Sequence, residues 1–109
     1  MDDLSAEEFV RRLNKNGKKK ETNLQKKVQA YLISLGAYEF KVHGSIYMKA
    51  GIPDIISCYK GLFIAIECKV DKNKMSEVQK AHKEMIEKAG GIHICAYNLD
   101  DVKKVLKDL

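Results

Sequence analysis

The chain has 109 residues, 45% hydrophobic and 32% charged, which suits one compact domain and excludes a multidomain assembly. Its longest purely apolar run, Leu62 to Ile66, is far too short to span a membrane, and no apolar stretch follows Met1-Asp2-Asp3, so no secretory signal is expected. The 20 Lys and Arg outweigh 15 Asp and Glu, and the resulting net charge of +5 favours polyanionic partners, nucleic acid foremost.

In chain order, residues 4 to 14 predict a short helix, with Ser5 and Glu8 at capping-box spacing, Leu4 and Phe9 as a staple, and Asn16-Gly17 as its end. Lys18-Lys19-Lys20 follows, and this arm is a packed helix, a dimer contact or a basic arm for phosphates. The next helix carries one apolar stripe, Leu24, Val28, Tyr31, Leu32 and Leu35, and Gly36 stops it. Glu21 stands near that stripe, at the N-terminal end. From Tyr38 to His43 the period drops to two, which predicts a strand. A looser stretch, Gly44 to Pro53, holds the only proline. Ile55–Tyr59 and Leu62–Val70 are strands joined by a Lys60-Gly61 turn.

After a polar loop, Ser76 and Gln79 open a helix at capping-box spacing, with Val78, Ala81, Met85 and Ala89 expected on its buried face. Gly90-Gly91 ends it. Ile92–Tyr97 is a last strand, and residues 100 to 109 a short helix with Val102, Val105, Leu106 and Leu109 inward. The order of elements describes one mixed α/β layer structure. Cys58, Cys68 and Cys95 have no zinc-ligand spacing and are expected as buried, reduced thiols of a cytosolic protein.

The chemistry concentrates around the two-strand segment. Side chains alternate across a strand, so Glu67 and Lys69 project from one face at the end of a very apolar run, where charges are costly unless compensated. A two-residue turn at Lys60-Gly61 pairs Tyr59 with Leu62 and places Asp54 opposite Glu67, whereas a three-residue loop would move Asp54 to the other face. Opposed carboxylates repel, and a hard divalent cation such as Mg2+ reconciles them. Lys69 nearby could then orient or help deprotonate an attacking water, which together describes phosphodiester hydrolysis. The plainer reading is a Glu67–Lys69 ion pair and an Asp54 turn cap.

Gly51-Ile52-Pro53-Asp54 followed by Ile66-Glu67-Cys68-Lys69 resembles the PD-(D/E)xK nuclease superfamily, and is most similar to its small stand-alone VRR-NUC members of phages and bacteria. Glu21, Gly61 and Ser76 to Gln79 support the resemblance, which spans about residues 20 to 98. It implies an α/β, restriction-endonuclease-like αβββαβ core, with a mixed central sheet flanked by helices. It divides the chain into an arm, residues 1–19, and a nuclease domain, residues 20–109. It further implies that Asp54, Glu67 and the backbone carbonyl of Cys68 hold Mg2+ or Mn2+. Lys69 would position the attacking water, Glu21 would complete the site through metal or water, and Gln79 would assist at its edge. Related stand-alone nucleases resemble Holliday-junction resolving enzymes and are often homodimers. The expected activity is structure-selective cleavage of branched DNA, in the cytoplasm of a bacterial or phage-infected cell.

Other readings stay open. Glu21 could serve only the positive end of its helix, and Gln79 only the capping box. Lys72 and Lys74, like Lys18, Lys19 and Lys20, either meet backbone phosphates or form solvated surface. His43 and Tyr47 either contact DNA or pack, and His82 is expected to be structural. A binding module without cleavage, or a subunit of a nuclease complex, would keep the basic surface without needing Glu21, Asp54, Glu67 and Lys69 together.

Overall fold

The computed structural model describes residues 6–44 and 49–109, with side chains described from Lys19 onward. The expected capping residues Leu4 and Ser5, and Tyr47, lie outside the described residues, as does the side chain of Lys18. The elements are α1 (Ala6–Ser34), β1 (Tyr38–Lys41), β2 (Ile55–Tyr59), β3 (Leu62–Cys68), α2 (Glu77–Lys88), β4 (Ile92–Ala96) and α3 (Leu99–Leu106). The fold is α/β, a four-stranded mixed sheet in the order β1-β2-β3-β4 flanked by helices. The first three strands are antiparallel, and β4 returns parallel to β3 through the α2 crossover.

One expectation fails at the N-terminus. Asn16-Gly17 does not end a helix, because α1 runs unbroken for 29 residues. An interior glycine costs about 1 kcal/mol relative to alanine. Its neighbours Arg11, Arg12, Leu13, Lys15, Lys18, Lys19, Lys20 and Glu21 are good helix formers and offset that cost.

The inward stripe of α1 behaves as its period requires. Leu24, Val28 and Leu32 are buried, and Tyr31 and Leu35 pack at the margin. They meet the sheet face made by Ile55, Ile64, Ile66, Cys68, Ile94 and Ala96, and Val102 and Leu106 of α3 complete the core. Helices α1 and α3 therefore cover one face of the sheet. Its other face carries Phe63, Ala65 and Glu67 of β3 beside His93 and Cys95 of β4, with α2 against β4. Cys68 lies in the core, but Cys58 points from the opposite face and is exposed, so the thiols are not all buried as expected.

The buried side of α2 is also not the expected one. Val78, Ala81, Met85 and Ala89 are exposed, and Gln79, His82, Lys83 and Ile86 are the half-buried positions. The apolar stripe is real, but it lies to one side of the sheet-facing positions, with Met85 and Ala89 beside Phe63 of β3. On the same side of the molecule β1 exposes its aromatics, Tyr38 at 73% and Phe40 at 47%, and Phe63 of β3 is 45% exposed. No helix among the described residues is long and apolar enough to cross a membrane.

Candidate functional site

The hairpin sets the site. Lys60 and Gly61 both have positive φ, 53° and 78°, the two-residue turn whose twist suits antiparallel strands. Tyr59 pairs with Leu62 and Ile55 with Ile66, so the next step along the ladder puts Asp54 across from Glu67. Val42 N–H donates to the Asp54 carbonyl at 2.7 Å, which extends the β1–β2 pairing just far enough to fix Asp54.

Backbone polarity then turns Asp54 toward β3. Lys69 N–H donates to Ala96 of β4, so the neighbouring Cys68 N–H points the other way. There it donates to Asp54 Oδ2 at 2.8 Å. The carbonyl of Cys68 leaves the strand on that same side. Its thiol points into the core, and burial first, then the charges of Asp54 and Glu67, push its pKa up to about 12.

Glu67 is the unusual group. Only 2% of it is exposed. Gln79 Nε2 donates to its Oε1 at 3.1 Å, while Oε2 is buried without a partner. Burial, then the charge of Asp54 and a hydrogen bond to Asp54, raise its pKa from 4.5 to about 8. That hydrogen bond exists only while Glu67 is protonated. With both groups ionised no donor stands between them, so either a proton or a cation must occupy the gap.

Lys69 opposes this trend: its ammonium favours ionised Glu67 and ionised Glu21. Glu21 reaches the same place from α1. Burial, then Asp54, raise its pKa, and Lys69 and Lys41 pull it back. The structure thus brings Glu21, Asp54, Glu67, Lys69 and Gln79 to one end of the sheet, around the Cys68 backbone. Among the described residues, no three of His, Cys, Asp and Glu converge closely enough to grip an ion between them. Two carboxylates and a carbonyl do suit Mg2+, which keeps several waters, and the orphaned Glu67 oxygen is the fitting donor.

Gln79 serves two purposes at once. Its Oε1 accepts from Ser76 N–H at 2.9 Å and its backbone N–H donates to Ser76 Oγ at 3.2 Å, closing the capping box. The remaining amide N–H reaches Glu67. Gly51 holds this helix end in place. At φ +80° it passes so close to α2 that a Cβ would lie 2.6 Å from Val78 Cγ1 and 3.0 Å from Gln79 N. Gly51→Ala is expected to cost about 2 kcal/mol, from the left-handed backbone and this clash. It should also loosen Gln79 from Glu67. Thermal unfolding and the Gln79 side-chain amide NMR signals check both effects.

The other basic candidates do not converge on the carboxylates. Lys72 and Lys74 are exposed in the loop after β3, and Lys19 is exposed on α1. Lys20 instead contacts Asp71 at 3.5 Å. His43 is exposed and His82 half-buried. Sequence reasoning missed two residues near Glu21. Lys41 stands on the inner face of β1, paired with Ile55, where the alternation of Tyr38–His43 could have placed it. Gln25 is buried one helical turn after Glu21, beside the apolar stripe.

No family model matches the sequence, and no curated protein matches it. Solved structures do match. A VRR_NUC domain superposes with a TM-score of 0.69 at 23% identity, covering 81% of this chain and 95% of the other. A VRR_NUC domain protein gives 0.64 at 24% identity, covering 80% and 84%. Hjc of Archaeoglobus fulgidus, a Holliday junction resolvase from an archaeal hyperthermophile, gives 0.56 at 18%, covering 71% and 67%. All have PD-(D/E)xK-type nuclease folds, and this chain shares that restriction-endonuclease-like architecture.

Proposed function

We propose that the chain is a divalent-metal-dependent endonuclease that hydrolyses DNA phosphodiester bonds, acts on branched DNA in recombination or repair, and works as a homodimer in the cytoplasm of a bacterial or phage-infected cell. One observation carries the reading. A buried glutamate with an unpartnered oxygen faces Asp54 across a hairpin, with Lys69 on the same strand end. A structural ion pair explains Lys69 but not the second carboxylate beside Glu67. The shared nuclease fold supports the same conclusion.

Asp54, Glu67 and the Cys68 carbonyl are the groups that would hold Mg2+ or Mn2+, and a cation there activates water and stabilises charge on the phosphate. Gln79 restrains one Glu67 oxygen, which leaves the other aimed at the gap. Lys69 donates to the attacking water and steadies negative charge on the phosphate. Glu21 accepts from that water on its other side, in the field of Lys41 and Lys69.

The test is cleavage of a four-way junction, a flap, a duplex and a single strand with Mg2+, Mn2+ or EDTA. Metal-dependent cutting, fastest on the junction, is expected. Binding without cutting under every metal condition would overturn the enzyme reading.

The uncovered apolar side supports the dimer. Tyr38, Phe40 and Phe63 are exposed on the sheet face that α2 leaves open, and Val78 and Met85 are exposed on α2 itself. A hollow of about 430 Å³ lies between Phe63, His82, Met85, Ile86 and Ala89. Patches of this kind mark protein contacts. Phe40→Glu with Met85→Glu is expected to convert a dimer to a monomer in sedimentation, with an unchanged circular dichroism spectrum. A wild-type chain that is already monomeric would remove the dimer from the reading.

A further inference from the structure

A second concavity lies at the same end of the sheet as the carboxylates. It holds about 400 Å³, within the range of ligand sites, and lies between α1, the end of β3 and the β4–α3 turn. Lys20, Asn23 and Lys27 line one wall, spaced i, i+3, i+7 on a single face of α1. Asn98 stands opposite, and Leu24 and Leu99 lie between. Lys20 directly precedes Glu21 and Val70 directly follows Lys69, so two walls of the groove are continuous in chain with the site.

The turn that forms the far wall is well fixed. Tyr97 Oη donates to the Asn73 carbonyl at 2.7 Å, Tyr97 N–H to Asp101 Oδ2 at 2.9 Å, and Asp101 N–H to Asn98 Oδ1 at 2.9 Å. The wall therefore needs no rearrangement to meet a ligand. Asp71 is the discordant member. Its carboxylate lies in the groove, 3.5 Å from Lys20 Nζ. Both groups are well exposed, so the pair is weak and a stronger anion can displace it.

Resting on the reading of the carboxylates as a nuclease centre, the geometry points to this groove as the seat of the DNA strand flanking the scissile phosphate. Lys27 and Asn23 take one backbone phosphate, and Lys20 turns from Asp71 to the next. Asp71 weakens binding by holding Lys20 in the free protein and by repelling the strand. The contacts carry no base information, because their partners are phosphates.

Fluorescence anisotropy with a labelled four-way junction in EDTA tests this over a salt series. Lys27→Gln should weaken binding about three- to tenfold and reduce the slope of log affinity against log salt by about 1. Asp71→Asn should tighten binding by a similar factor, and asparagine tolerates the left-handed backbone at this position (φ 55°). Lys88→Gln, the same charge change at the far end of α2, should alter neither. A slope unmoved by Lys27→Gln, an Asp71→Asn affinity equal to wild type, or an equal effect from Lys88→Gln overturns the groove. Wild-type cleavage with Mn2+ is scored separately. Cutting with unresponsive affinities rejects only the groove, and responsive affinities without any cutting reject only the nuclease reading.

Discussion

Asp54→Asn is expected to lower metal-dependent DNA cleavage by about a thousandfold or more while leaving the fold intact. The structural half of this result follows from one hydrogen bond. Asp54 Oδ2 accepts from Cys68 N–H, and an asparagine carbonyl oxygen can accept it equally well. The substitution therefore keeps a half-buried backbone donor satisfied, which Asp54→Ala would not. The chemical half follows from charge. Removing Asp54's carboxylate leaves Glu67 alone to attract the cation, and a neutral amide is a much poorer ligand for Mg2+. In EDTA the circular dichroism should match wild type and junction binding should be no weaker, because a carboxylate that repels the phosphates is gone, and only the cleavage rate should fall. An active Asp54→Asn would sink the proposed assignment of the site.

Glu67→Gln should raise the melting temperature in EDTA at pH 8 and change it little at pH 5. Glu67 has its pKa lifted from 4.5 to about 8 in the fold. Its stabilising contribution is therefore complete below the unfolded value and is lost as pH climbs toward the folded one. At pH 8 the unfolded chain ionises this group freely, and the fold resists it. A glutamine is spared that conflict: its carbonyl still accepts from Gln79 Nε2, and its amide can donate to Asp54 as the protonated acid does. The gain at pH 8 is about 2 kcal/mol, or roughly 10 °C for a domain of this size. With saturating Mg2+ the order should reverse, because only wild type gains stability from the ion. Scanning calorimetry at the two pH values checks the sign, and a destabilised variant at pH 8 in EDTA would contradict it.

Much of the architecture was legible because local signals agreed with one another. The Leu24-Val28-Leu32 stripe, the Ser76–Gln79 box and the Lys60-Gly61 turn each specify geometry within a few residues, and together they place β2, β3 and α2. The failures share a different origin. Periodicity shows that Val78, Ala81, Met85 and Ala89 lie together on α2, but not whether anything covers them. A glycine lowers helix propensity without forbidding helix, so Gly17 could not decide the length of α1. In the candidate site, the opposition of Asp54 and Glu67 followed from counting along a ladder. The approach of Lys41 depends on how α1 lies across β1, and the groove joins Lys27 to Asn98, which no local pattern links.

The hairpin turn has a consequence for how this chain can vary. Six residues of strand, about 20 Å, separate Lys60-Gly61 from the acids they bring face to face. That remote loop works as a parity check on the centre. A slip of the pairing by two residues leaves every side chain on its own side of the sheet. A slip of the pairing by one residue exchanges inside for outside all along β2, sending Asp54 to the wrong side while each residue of the motif is still spelled correctly. Natural changes at this surface loop should therefore keep Tyr59 opposite Leu62, whatever the length of the turn between them.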